Sequence, residues 1–199
     1  MRKTPQEFRR DNVKLLFDKV LKSKRINLSP VNITVSESLD SDFTRVDLSL
    51  SETVSDTTLN RQLTESEAKG FVDGMFKACH NQYAKDYNSL RNIKLIDYQV
   101  TPRFTRSKKT IGSEAETEVT LMVQVKDHGV AEFSCTSRSI LYSSFVATLE
   151  AFQFYLNCDS AFKKIKTIIE DAESRNRGDI TQECMSDLSV LTGVNTYAK

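Results

Sequence analysis

The sequence predicts an α+β protein built from two βββα units related by pseudo-twofold symmetry, with an added N-terminal helix and added C-terminal helices. Three observations carry this prediction. Val31–Glu37, Phe43–Leu50 and Thr57–Thr64 alternate apolar and polar residues, and a helical pattern follows from Gly70 to about Tyr87. The same order then recurs about 70 residues later: Ile93–Phe104, Thr117–Lys126 and Val130–Ser137, closed by a helical run over Ser143–Asn157. Helix-period residues flank both ends of the chain. A lone three-stranded unit is marginal in water, so duplication has a physical reason.

Each element has its own justification. Residues 5–23 place Phe8, Val13, Leu16, Phe17, Val20 and Leu21 on one stripe, with Pro5 suited to a first turn. Pro30 disfavours continuation of that helix, and extended chain is expected after it. Val31, Ile33 and Val35 then share a face, as do Val46, Leu48 and Leu50, and, more weakly, Leu59 and Leu63. The helix GFVDGMFKA and onward presents Val72, Met75, Phe76, Cys79 and Tyr83 on one side. Gly70 permits a sharp turn at its start, and Gly74 thins its first turn. In the second half Leu95, Ile96, Tyr98 and Val100 mark a strand, Arg106–Glu114 a polar loop, and Val119, Leu121, Val123 and Val125 the clearest strand of all. Asp127-His128-Gly129 reads as a turn. Asp159 and Ser160 are placed to cap a helix through Glu173; Gly178 breaks it, and a short helix with Ile180, Cys184, Leu188 and Leu191 follows before a frayed end. The organisation is therefore a basic amphipathic helix (1–28), a duplicated body (29–157, split into 29–90 and 91–157) and a helical extension (158–199).

Composition narrows the function. The chain has 199 residues, 39% hydrophobic and 28% charged, with net charge +1. Charge is uneven: residues 1–25 hold nine Lys or Arg against three acids, a local +6 that leaves −5 elsewhere. That basic end suits a solvated helix face, an acidic partner, a membrane surface or the acidic body of its own dimer. No apolar run approaches the ~18 residues of a membrane span, and the N-terminus lacks the apolar core of a secretory signal. Cys79, Cys135, Cys158 and Cys184 form no C-x-x-C pair and read as reduced thiols of a cytoplasmic protein.

Reactive chemistry is thin. His80 and His128 are the only histidines, and neither has a local partner for metal chelation or a triad. Glu114, Glu116 and Glu118 alternate at a strand onset and read as a solvated face. No glycine-rich loop cradles a phosphate. No catalytic residue, metal or cofactor is expected. Three strands and a helix also occur in double-stranded RNA binders, whose helix presents lysines to phosphate. Here Ser143–Asn157 contains neither Lys nor Arg, and Lys77 and Lys85 stand beside Asp73 and Asp86, which argues against nucleic acid. A strand running into the helix start at Gly70 leaves outward N–H groups that suit a small carboxylate.

At four places the residues resemble the C-terminal regulatory domain of α-isopropylmalate and citramalate synthases. Gly70–Ala78 is similar to that family's G-P-V-D-A-x-[FY]-K-A stretch, and Leu95–Val100 to its L-x-D-Y-x-V strand. Glu116–Val125 resembles its G-E-V-x-V-x-V strand, and Phe145–Asn157 its closing helix, here ending Ala151-Phe152-Gln153-Phe154-Tyr155-Leu156-Asn157. Order and spacing agree across residues 29–157. The resemblance implies a homodimer of βββα pairs that binds leucine, isoleucine or a related small carboxylate near the interface. In full synthases a catalytic barrel precedes this domain. Residues 1–28 are too few for one, so a stand-alone regulatory domain, acting in trans on a synthase chain, is the expectation. The ligand-binding residues implied are Gly70, Phe71 and Val72 at one helix start and Ser143 and Ser144 at the other. Two departures are notable: Ala68-Lys69-Gly70-Phe71 replaces the family's G-[ND]-G-P loop, and Ser143 stands where it has an acid. A scaffold that keeps the dimer fold without the ligand, using residues 5–23 and 159–191 as binding surfaces, is the alternative.

Overall fold

The computed structural model describes residues 5–38, 40–103 and 115–197. Its elements run α1 (Pro5–Val20), β1 (Ile26–Glu37), β2 (Thr44–Val54), β3 (Thr57–Ala68), α2 (Phe71–Tyr83), β4 (Ile93–Arg103), β5 (Glu116–Val125), β6 (Gly129–Ser137), α3 (Ile140–Ser174) and α4 (Gly178–Thr192). The protein is α+β: two separate antiparallel sheets, ordered β1-β2-β3 and β4-β5-β6, are each followed by a helix. The predicted loop Arg106–Glu114 lies outside the described residues.

The two units repeat one another in detail. In each, the first strand carries a one-residue bulge, at Val31 between Pro30 and Asn32 and at Ile96 between Leu95 and Asp97. A two-residue link, Lys69-Gly70 or Arg138-Ser139, joins the third strand to its helix. Helix and strand approach closely through small residues at matching places, Gly74 over Ala68 in one unit and Ser143 against Ser137 in the other.

Alternation builds each sheet as expected. Val46, Leu48 and Leu50 of β2 and Val119, Leu121 and Val123 of β5 are all 0% exposed. Two details differ from the sequence reading. β1 starts at Ile26 and runs through Pro30, because it is an edge strand and the bulge beside Pro30 absorbs the missing N–H. Val31 is the bulged residue itself, so it leaves the apolar face of Ile33 and Val35 and is 64% exposed.

Helix α3 is the axis of the core. It touches β1, β5, β6, α1, α2 and α4, and buries Phe145, Leu149, Phe152, Tyr155, Leu156 and Ile165 almost completely. The expected boundary at Asp159-Ser160 does not form, and α3 is continuous over 35 residues. No Gly or Pro interrupts it, the apolar spacing continues through Ala161, Ile165 and Ile169, and Asp159 pairs with Lys163 one turn on at 2.8 Å instead of capping. Asn157, 1% exposed, seals the outer edge of β1: its side chain accepts the Ile26 N–H and donates to the Ile26 carbonyl, both at 2.8 Å. Gln153 accepts the Leu28 N–H at 2.7 Å. The first three residues of this edge strand are thus closed to pairing with another chain from within.

Three basic residues of the N-terminal end have partners within the chain. Lys19 pairs with Glu183 at 2.7 Å and Asp187 at 2.8 Å on α4, which raises its pKa through those two hydrogen bonds. Arg25 meets Asp18 at 3.0 Å, and Arg10 lies over the Phe133 ring while donating to the Glu132 carbonyl. The C-terminal residues through 197 are packed, not frayed: Tyr197 stacks on Phe162 at 4.1 Å and the Thr196 hydroxyl donates to the Lys126 carbonyl at 2.9 Å. Among the described residues no helix is long and apolar enough to cross a membrane.

Candidate functional site

The start of α2 is set by its strand. β3 ends at Ala68, Gly70 turns the chain with φ of 144°, and the first intrahelical bond runs from the Gly74 N–H to the Gly70 carbonyl at 3.0 Å. That φ is strained for any residue with a Cβ. Gly70 has no side chain to cap the helix, so the first-turn N–H groups are left for water or a ligand. Asp73 folds back instead: its carboxylate accepts the Lys69 N–H at 3.1 Å and pairs with Lys77 at 2.7 Å, raising the lysine pKa.

Beside this turn an open groove of about 480 Å³ runs between the α2 start and the bulged part of β4. Gly70, Phe71 and Val72 line one side, and Leu95, Asp97 and Tyr98 the other. Phe71 meets Tyr98 edge to face with centroids 6.1 Å apart. Val72 is 8% exposed and packs with Leu121 of β5 and Ala147 of α3 in one small apolar cluster. The Asp97 carboxylate accepts the Tyr98 N–H at 2.8 Å and faces solvent.

Ser143 and Ser144 are placed differently from expectation. Helix α3 begins at Ile140, a turn earlier than predicted, because Ser139 serves as its cap and accepts the Tyr142 N–H at 3.2 Å. Ser143 and Ser144 are therefore inside the helix, and both are 0% exposed. The Ser143 hydroxyl is bonded to that of Ser137 at 2.7 Å. The Ser144 hydroxyl donates to the Ile140 carbonyl at 2.7 Å and lies 3.3 Å from the Tyr98 hydroxyl. Neither serine lines the groove. Tyr98 is the residue that sequence reasoning passed over, and it joins the two helix starts: Phe71 against its ring and Ser144 at its hydroxyl. Its only signal was its place in the L-x-D-Y-x-V strand.

Some of the exposed apolar residues of the chain lie on the same elements. Ile96 and Val100 of β4 are 47% and 39% exposed, and Leu141 and Tyr142 in the first turn of α3 are 38% and 51% exposed.

The other candidates have structural settings. His80 lies 3.1 Å from the Leu90 carbonyl and parallel to Phe76. Cys79 is 0% exposed, and burial pushes its thiol up to about 12. All four cysteines are free. Among the described residues no three His, Cys, Asp or Glu side chains gather as a metal site. No protein-family model matches the chain, and no curated protein does.

Proposed function

We propose that this chain is a non-catalytic ligand-sensing module that works as a homodimer in the cytoplasm and binds a small branched-chain amino acid or related carboxylate. The observation that carries the reading is the join at Tyr98, which ties the ligand-facing helix start of one βββα unit to the helix of the other. A ligand that presses on Phe71 therefore moves a contact shared by both units. In the groove, a carboxylate meets the N–H groups of Phe71 and Val72, which the helix dipole favours. The ammonium group meets Asp97, in place of the acid that the resembled family carries where Ser143 stands. The aliphatic side chain lies on Leu95, Phe71 and Tyr98. Ile96, Val100, Leu141 and Tyr142 form the face presented to the twin subunit. Regulation of a synthase chain in trans follows from the resemblance.

One observation favours a second reading. Phe71 replaces a proline of the family loop, and its ring already rests on Tyr98. A groove occupied by its own side chain suits a dimeric scaffold that has lost the ligand.

Thermal unfolding of the full chain with leucine, isoleucine, valine and 2-oxo acids separates the two. At 100 times its dissociation constant a ligand stabilises by ~2.7 kcal/mol, an upward shift of about 5–10 °C. Asp97→Asn should remove the response to amino acids and spare that to 2-oxo acids. A flat response to the whole panel supports the scaffold.

A further inference from the structure

A second concave surface lies away from the groove, where the added helices meet the duplicated body. It is an open crevice of about 780 Å³, bordered by the end of α1, the helical turn Lys22–Lys24, the later half of α3 and α4, with Val54 and Tyr87 contributed by the body. Apolar side chains line it: Leu21, Ile26 and Ile165 are buried, and Val54, Ile168 and Ile180 are half-buried and packed on the core. Its rim is basic. Lys19, Lys22, Lys24, Lys163 and Lys164 border it, against two acids, Glu183 and Asp187. Lys19 already holds both acids, and Lys163 pairs with Asp159. Among the described residues the side chains of Lys22, Lys24 and Lys164 have no ion pair or hydrogen bond, and all three lysines are exposed. The backbone that carries the first two is pinned: the Lys24 N–H donates to the Leu21 carbonyl, and the Ser55 N–H of the β2–β3 turn donates to the Ser23 carbonyl, both at 2.9 Å.

An apolar surface rimmed by charge of one sign is the pattern of a docking site: burial supplies affinity, and the rim selects and steers the partner. Three unpaired positive charges around this crevice, in a chain of net charge +1, fix the sign of what fits. We propose that the crevice docks an acidic segment of a partner protein, one that sets aliphatic side chains among Asp or Glu. Its aliphatic groups lie on Val54, Ile168 and Ile180, and its carboxylates meet Lys22, Lys24 and Lys164. A pinned turn lowers the cost of ordering this surface on binding. A nucleic acid fits less well: single strands stack on open aromatic faces, and Tyr87 already has the Lys163 ammonium 5.1 Å from its ring centroid. A membrane takes up apolar faces that protrude, whereas these side chains are recessed. The crevice shares no residue with the groove beside Gly70, so either can fail without the other.

The test is fluorescence anisotropy of the full chain with three short labelled peptides: leucines among glutamates, leucines among lysines, and serines among glutamates. The first should bind about tenfold more tightly than either of the others, since both the charge and the aliphatic groups are read. The triple variant Lys22→Glu, Lys24→Glu, Lys164→Glu should weaken it at least about tenfold. A control with the same net charge, Lys14→Glu, Lys85→Glu, Lys126→Glu, should bind as the parent does; all six lysines are exposed, so both triples keep the core intact. A photo-cross-linker on the acidic peptide should attach to the turn Lys22–Lys24, to α3 near Ile168 or to α4 near Ile180. No binding of the acidic leucine peptide, equal binding of the lysine or serine peptide, equal loss in the two triples, or cross-links confined to the α2 groove would overturn the assignment. So would tighter binding of single-stranded DNA or of phosphatidylserine vesicles than of the acidic peptide.

Discussion

Replacing Gly74 with Ala tests whether close helix–strand contact, and not flexibility, explains the glycine in the first turn of α2. On helix propensity alone the change should stabilise by about 1 kcal/mol. The structure reverses the sign. A Cβ at position 74 would stand 2.5 Å from Val46 Cγ2, 3.1 Å from Ala68 Cβ and 3.2 Å from Val46 Cβ. Val46 cannot swing aside: it is β-branched, 0% exposed, and held on a central strand between Val35 and Glu65. Overpacking of this kind costs about 1–3 kcal/mol, which outweighs the propensity gain and leaves a net loss of about 1 kcal/mol. For a chain of this size that lowers Tm by about 2–4 °C. Urea unfolding of Gly74→Ala, Val46→Ala and the double variant measures it. The double variant should lose at least ~0.5 kcal/mol less than the sum of the singles, because the new methyl fills the space vacated by valine. A Gly74→Ala protein as stable as the parent, or additivity in the cycle, would refute the packing argument.

Other outcomes follow from the same geometry. Asn157→Leu strands the buried N–H and C=O of Ile26 and should cost about 2–5 kcal/mol in urea unfolding, clearly more than Gln153→Leu, which frees only the Leu28 N–H. Equal losses would mean that the β1 edge is satisfied by water. Gly70→Asp places a negative charge at the α2 start and a Cβ at φ of 144°, so it should erase any thermal response to amino acids and to 2-oxo acids alike. A retained response would move the ligand elsewhere. Alkaline pH should weaken the fold: Cys79 ionises in the unfolded chain near its ordinary 9.0 but only at about 12 when folded, so the unfolded state sheds its proton first and stability falls as pH rises through this window. The loss is at most ~1.4 kcal/mol per pH unit for this thiol, and Cys79→Ala should make the fall of the urea midpoint between pH 9 and 11 shallower, the remainder coming from Cys158 and the buried tyrosines, which burial also holds protonated. An unchanged slope would show that Cys79 is not sealed in the core.

Where local chemistry decided the outcome, the sequence was legible. All six strands were found, but only β2 and β5 alternate cleanly between a wet and a dry face, with Val46, Leu48, Leu50, Val119, Leu121 and Val123 where alternation puts them; the bulges at Val31 and Ile96 turn those two residues outward. The α2 stripe read correctly for the same reason. Errors arose where tertiary context overrode a local rule. Pro30 rightly argued against helix, but β1 begins before it, at Ile26, because an edge strand with a bulge tolerates proline. Asp159 and Ser160 looked like a cap, but Lys163 one turn later neutralises the acid and the apolar stripe continues past it. Ser143 and Ser144 looked like a helix start, but Ser139 caps first and buries them. The join at Tyr98 was beyond local reading altogether, since it depends on three distant segments meeting at one ring.

The central claim is that the groove beside Gly70 receives a small branched-chain carboxylate. Its most direct test is an amide and methyl NMR titration of the full chain with leucine, isoleucine, valine and their 2-oxo acids. The account predicts saturable shifts at Gly70, Phe71 and Val72, with Tyr98 and Ser144 moving in step at the same ligand concentrations. A spectrum in which these five residues stay fixed while the whole panel is raised to millimolar concentration would contradict it.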